Sequence, residues 1–363
     1  MKKNLIPIYI LFTFLIVFCC TSPEKNPFHI DRVYELEGKK TYFPEIINPV
    51  NINDVGDYII VSELNRIPAD LPLLHVLKKS PLAYVFPKGV AGFGPFEIPD
   101  AFLVEPGLSD STFTVYSAMS KKFTDFSLKD TSRLGISEYK QPEELFGMYK
   151  GFHATDSTII GIMANDPNKL VEFSTRDGRR IAGYGTWEKI PNADHLIDYD
   201  DPDINYHMGE INAGRFKGNR KRGLFVKANA YRDRLEIFHY KSKTFDIVDG
   251  PRMEVPDFEI RHSGGQSAVL FDQEYPLGYG ELAIGENFIY VLYVGANFEE
   301  IQKTTDIAKL IYVFTHEGDV VSKFNLDISI RDLVVDEELR LIYGLTTDKD
   351  PGIAVFELPS EFL

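Results

Sequence analysis

"KLIYVFTHEGDVVSKFNL", residues 309 to 326, is an apolar run, a polar turn at Glu317-Gly318 and a second alternating run. Asp-Gly or a similar pair between two such runs is a strong hairpin signal, because glycine accepts the positive φ that tight turns demand. The same phrase recurs along the chain. "KLVEFSTRDGRRIAGYG" at Lys169 turns at Asp177-Gly178, while "TFTVYSAMSKKFTDFSL" at Thr112 and "RLEIFHYKSKTFDIVDG" at Arg234 turn at Ser-Lys pairs. "LLHVLKKSPLAYVFPKG" at Leu73 is a looser copy. Further strand pairs lie at Gly151, "GFHATDSTIIGIMA", at Glu281, "ELAIGENFIYVLYVG", and at Arg331, "RDLVVDEELRLIYGLT".

Four strands per unit and six units, with about 40 to 75 residues between equivalent turns, predict an all-β fold. It is a six-bladed β-propeller of four-stranded antiparallel blades with loop insertions. The last unit offers only three strands, Arg331 to Asp336, Arg340 to Thr346 and Gly352 to Leu358. Its fourth is expected from "DRVYELEG", Asp31 to Gly38, so that the N-terminal strand pairs with the last blade and closes the ring. Only Asn297 to Lys309 has helical composition. Phe and Tyr, 27 and 19 residues, suit strands.

A second echo accompanies the first: "GFGPFE" at Gly92, "GYGTWE" at Gly183 and "GYGE" at Gly278. A dinucleotide cradle is excluded because glutamate replaces the third glycine, no helix follows and Pro95 lacks an amide. The expectation is a tight turn from one blade to the next, with an aromatic over the junction. Together with "GVAGFGPFEIPDAFLV", the "EG" and "DG" hairpins and the N-terminus described next, this pattern resembles the TolB-like six-bladed propeller lipoproteins of Bacteroidota. The resemblance runs from about residue 30 onward and implies an envelope propeller. It transfers no catalytic residue. Phe96 stands where that family usually has a second glycine.

The N-terminus has Lys2 and Lys3, an apolar run from Leu5 to Phe18, and then Cys19, Cys20, Thr21 and Ser22. That order is a secretory signal peptide, and the run is shorter than the ~20 residues of a membrane span. Val17-Phe18-Cys19-Cys20 resembles a lipoprotein box with Cys20 as the acylated residue. The expected domains are a signal peptide at 1–19, a lipidated cysteine and tether at 20–29, and the propeller at 30–363. The location expected is a bacterial cell envelope, periplasmic or surface-exposed, with the membrane reached through the lipid. A net charge of −15 argues against nucleic acid.

Chemistry is sparse. Asp198, Asp200, Asp201 and Asp203 supply hard oxygens for a calcium loop, but without its glycine and bidentate glutamate the plain reading is a solvated acidic loop. No cofactor is expected. "RFKGNRKR", Arg215 to Arg222, is basic, and pairing with the acidic run is its plain reading. Trp187 opens the segment that carries both runs. Trp187, the four aspartates, Arg220 and Arg222 form the expected recognition surface, because long loops on a rigid scaffold carry function. His195 and His207 flank the acidic run. Asn53, Asp100, His153 and Asp332 fall near inner-strand starts and are the central-tunnel candidates. The leading expectation is a monomeric, non-enzymatic module binding a protein, peptide or glycan. The rival is a metal-dependent hydrolase or lactonase, favoured if three or more carboxylate, Asn or His side chains converge on the axis.

Overall fold

The computed structural model describes residues 28, 30, 32–64, 68, 70–264 and 266–362, so Cys20 and its lipoprotein box lie outside the described residues. Each hairpin read from the sequence forms. The Ser-Lys turns place Lys121 and Lys243 at φ of 50° and 60°, and Gly178 and Gly318 take positive φ in the other two turns.

Four separate four-stranded antiparallel sheets follow one another. Blade one is Pro49–Val55, Tyr58–Glu63, Leu74–Lys78 and Ala83–Lys88. Blade two is Leu103–Pro106, Thr112–Ser117, Lys122–Ser127 and Ser137–Lys140. Blade three is Met148–Thr155, Thr158–Met163, Asn168–Ser174 and Arg180–Thr186. Blade four is Gly214–Asn219, Leu224–Asn229, Arg234–His239 and Thr244–Asp249.

The remaining eight-stranded sheet is two blades sharing one strand. Val320–Asp336 pairs through Val320 to Asn325 with Ala308–Thr315, and through Ile330 to Asp336 with Leu341–Thr346. It is therefore the outer strand of blade five, after Tyr279–Ile284 and Phe288–Tyr293, and then the inner strand of blade six. Blade six continues through Ile353–Glu357 and is completed by Gly38–Thr41. The fold is the expected six-bladed ring, closed by the N-terminal strand.

One detail of the closure differs from the expectation. Val33–Leu36 does not enter blade six; it runs parallel to Lys323–Leu326 on the outer edge of blade five. Phe28 packs edge-on against Tyr312, also in blade five, at 5.1 Å. The closing strand is the next one, Gly38–Thr41, four residues with a single glycine and two lysines that carry no apolar alternation to betray it. Gly38 is required there, since a Cβ would come within 2.5 Å of the Phe356 ring.

Second and third strands of each blade are covered on both faces and are buried almost throughout. Leu224–Asn229 is buried at every position, Lys227 and Asn229 included. Outer strands alternate, as Ala83–Lys88 does. The apolar clusters accordingly sit between blades: Phe123, Phe152, Phe225 and Phe238 join blades two, three and four, and Ile59, Leu77, Val334 and Tyr343 join one and six.

Two insertions interrupt the ring, at 187–213 and 251–278. The first contains helix α1, Ile204–Ile211, which the sequence reading missed; α2, Phe298–Thr304, is the helix it expected. A helix of eight residues with Gly209 inside, behind an acidic run, gives too weak a period to stand out. The second contains the hairpin Phe258–Ser263 and Gln266–Phe271. The insertions bury a common core of Ile190, Ile197, Met208, Ile211 and Phe258.

The three glycine echoes are not equivalent either. Residues 92–97 form the expected turn between blades, but Phe93 is 70% exposed and covers nothing. Gly183 lies inside the outer strand of blade three, and Gly278 directly precedes the inner strand of blade five.

Deleting Gly38–Thr41 exposes the edge of Ile353–Glu357 and is expected to lower the melting temperature by roughly 5–10 °C. A thermal melt of the whole chain followed by circular dichroism checks this. An unchanged melt would show that blade six does not need the strand.

Candidate functional site

The first strands of the six blades stand side by side around the axis, with contacts between neighbouring inner strands. All run in one sense, so one face of the ring gathers their starts and the other their ends. Alternation along each strand sends every second side chain inward. In blade three this places Lys150 and Phe152 on the channel, and in blade four Arg215 and Lys217.

A cavity of about 340 Å³ opens at the start face, and another of about 550 Å³ at the end face; Asn53, Val104, Phe152 and Lys217 line both. Lys217 is the centre of the channel's polar chemistry. Its ammonium lies 3.2 Å from Asp332 and 4.0 Å from Glu281, and Arg215 lies 3.2 Å from the other Glu281 oxygen. Burial opposes the charge on Lys217, but Asp332 and Glu281 outweigh it and hold its pKa above the usual lysine range. Asp332, fully buried, also accepts the main-chain amides of Ile52 at 2.9 Å and Leu333 at 2.8 Å, and the Asn51 amide at 3.2 Å.

Asn51, Glu281 and Asp332 thus converge on the axis, which was the condition set for the metal-dependent rival. A lysine ammonium stands among them, however, where a bridging cation would have to sit. Among the described residues no group of three or more His, Cys, Asp or Glu is placed to hold a metal ion.

The tunnel candidates have separate fates. Asn53 faces the channel. Asp100 lines the start-face cavity, yet its oxygens are taken by the Ser117 hydroxyl and by the amides of Ala118 and Met119, 3.1 and 3.0 Å away. His153 lies between blades, its Nδ1 2.5 Å from Glu105 and its Nε2 2.7 Å from the Tyr139 hydroxyl. Burial lowers the His153 pKa, but Glu105 overrides it and leaves the imidazole above its usual value. Asp332 serves Lys217 as described.

The residues of the expected recognition surface do not form one patch. Trp187 is half-buried, donates its indole N–H to the Asp166 carbonyl at 2.8 Å, and lies under the Lys227 ammonium at 5.1 Å. Asp198 and Asp201 accept the amides two residues ahead, at 3.0 and 2.8 Å, and Asp203 accepts from Asn165 at 3.2 Å. These bonds shape the turns leading into α1 on the start face. Arg220 and Arg222 lie past the far end of Gly214–Asn219, a strand of about 20 Å, on the end face. Arg220 donates to the Gly107 carbonyl at 2.6 Å and Arg222 to Glu286 at 2.6 Å, so the acidic run is not their partner. His207 is buried and bonded to Ser267 at 2.7 Å; His195 is exposed on the insertion.

What the sequence reading missed is Lys150, with Arg215 and Lys217 in their channel role. A signal was present: "YKGF" at Tyr149 and "FKGN" at Phe216 each put a Lys-Gly pair in an inner strand.

The TolB-like six-bladed propeller family model matches residues 190–338, which hold both insertions with blades four and five. Over this segment the chain is similar to that family. The chain matches no curated protein. Among solved structures it is similar to a member of the DUF4221 family from Bacteroides vulgatus, at 10% identity and a TM-score of 0.54, over 89% of this chain and 98% of that one. It is also similar to a protein described as exported from Bacteroides fragilis, at 10% identity and a TM-score of 0.51, over 90% and 98% of the two chains. At such identities both speak for the fold alone.

Lys217→Met strands the buried Asp332 charge and is expected to cost about 3 kcal/mol of stability. Adding Asp332→Asn should recover part of that loss, with a coupling of about 1–3 kcal/mol in denaturant melts of the four-member cycle. Strictly additive costs would remove the pair from the structure of the channel.

Proposed function

We propose that the chain is an exported, lipid-anchored binding module that receives a polar ligand at the start-face mouth of its channel. The observation that carries this reading is the lining of that mouth. Lys150 and Asn53 present polar groups to it, and Phe102, 46% exposed, presents an aromatic ring. Such a mixture of an apolar surface and a few fixed polar groups suits ligand recognition. The insertions rise from the same face, because both connect the outer strand of one blade to the inner strand of the next. Tyr149, exposed beside Lys150, is near enough to Glu210 of α1 for that carboxylate to add to the burial that raises its pKa. The insertion between blades three and four therefore stands beside the mouth, and its acidic run belongs to the surroundings of the site.

The anchor follows from Val17-Phe18-Cys19-Cys20, and the exported description of the Bacteroides fragilis relative agrees with an envelope location. Acylated Cys20 holds the chain on a membrane, since two or more acyl chains give stable attachment. Cys20→Ser is expected to abolish fatty-acid labelling and shift the chain out of the membrane fraction. Retained labelling would put the anchor elsewhere.

The mouth is tested by photo-crosslinking. A benzophenone amino acid at Phe102 is expected to give a ligand adduct in intact cells, whereas the same group at Ile247, exposed on the outer strand of blade four, gives none. Equal labelling at both positions, or none at Phe102, would overturn this placement.

A further inference from the structure

The start-face cavity contains polar groups that the fold leaves without partners. Among the described residues no hydrogen bond or ion pair engages the Lys150 ammonium. The Ser62 hydroxyl, buried in the same wall, also has no hydrogen-bond partner there. Unmade hydrogen bonds at buried groups are costly, and a site keeps them where a ligand completes them.

The carboxylates around Lys150 are already engaged. Glu281 faces Arg215 and Lys217, and Asp332 takes Lys217 with two main-chain amides. Glu63 accepts from the amides of Ile47 and Asn48, at 2.7 and 2.6 Å, and lies 3.1 Å from His75. Asp100 is held by Ser117, Ala118 and Met119. Lys150 is thus the cation left over. Its neighbours Arg215 and Lys217 are cations too, so the cluster is short of one negative charge beside Lys150.

We propose that the start-face cavity binds an acidic sugar, with Lys150 taking its single carboxylate, Ser62 and Asn53 its hydroxyls and Phe102 one face of its ring. This deepens the binding reading above and rests on it. A monoanion suits one unpaired ammonium better than a phosphate dianion does. The other free groups are a hydroxyl, a side-chain amide and an exposed aromatic ring, which match a sugar's hydroxyls and its apolar C–H face. A peptide terminus would bring a row of main-chain amides, for which this wall offers no matching set of free acceptors.

Burial pushes the Lys150 pKa down; Glu281 opposes that shift, and Arg215 and Lys217 add to it. A carboxylate beside the ammonium favours its charged form. Affinity for the acid is therefore present at pH values below the lowered lysine pKa and fades as the pH rises through it. The groups facing Lys150 in this comparison are Arg215 and Lys217 from blade four, Glu281 from blade five and Asp332 from blade six. Glu63 of blade one and Asp100 before blade two complete the charged wall.

The test is calorimetric titration of the purified full chain with glucuronate, glucose, inorganic phosphate and the blocked dipeptide N-acetyl-Ala-Ala. Glucuronate is expected to bind about tenfold or more tightly than glucose, the scale of one charge-assisted hydrogen bond. Lys150→Met should erase that difference, and Lys150→Arg should keep most of it. A circular dichroism melt of each variant confirms folding. Only glucuronate binding should weaken with rising pH, and glucose binding should not. Equal binding of glucuronate and glucose, or preference for phosphate or the dipeptide, would overturn the proposal. If no sugar binds while Phe102 still crosslinks a ligand, this inference fails alone. If neither occurs, the reading of the mouth as a binding site fails with it.

Discussion

The inner edge of each blade is the constraint on which the rest of the ring depends. An inner strand is hydrogen-bonded on one side only, so its other main-chain groups face the axis or the neighbouring blade. Buried carboxylates accept some of these amides across blade boundaries. Asp332 of blade six accepts Ile52 of blade one at 2.9 Å, and Glu105 of blade two accepts His153 of blade three at 3.1 Å. Glu337, just after the inner strand of blade six, ties blade five in a different way, accepting the amides of Asn287 and Phe288 at the start of that blade's second strand at 2.8 and 3.2 Å. A carboxylate bonded to amides is fixed in direction, which an apolar contact cannot achieve. These bonds fix how neighbouring blades sit against one another.

That solution creates the electrostatics of the channel. Carboxylates brought to a narrow axis repel one another unless cations accompany them, and Lys217 and Arg215 fill that role at Asp332 and Glu281. Lys79 does the same at the boundary of blades one and six, between Asp54 at 2.8 Å and Asp336 at 2.9 Å. These pairs are consumed by the fold. Lys150 has no such assignment, and this separates it from every other channel cation considered above.

The sequence made the ring legible because its hairpins are local. A turn such as Glu317-Gly318 or Ser242-Lys243 is specified by adjacent residues, and four strands per unit follow from counting. The seam was legible only in part. Asp31 to Gly38 alternates like a strand, and Val33–Leu36 within it is one, but its partner is blade five's exposed edge. Gly38–Thr41 closes the ring through main-chain bonds that need no apolar pattern. The site was harder still. Lys150 of blade three lies far along the chain from Asn53 and Ser62 of blade one, and only the assembly of the ring brings them to one cavity. Trp187 misled for the opposite reason: a lone tryptophan in a long insertion suggests a contact anchor, whereas its indole is spent on the Asp166 carbonyl and the Lys227 ammonium.

The two insertions show how such a ring can vary without being broken. Each joins the outer strand of a finished blade to the inner strand of the next, so extra residues there alter no ladder within a blade. Neither buries a core alone; Met208 and Ile211 of α1 need Phe258 of the second insertion, and Glu210 accepts the Val269 amide at 2.9 Å. The pair therefore behaves as one body attached at both ends of blade four, apart from the seam in blade six. Polar atoms that close this body onto itself, as His207 does with Ser267, are unavailable to a ligand. Ligand selectivity then has two independent sources: groups inside the ring such as Lys150, fixed by blade geometry, and the outward surface of the insertions, free to change because no blade depends on it.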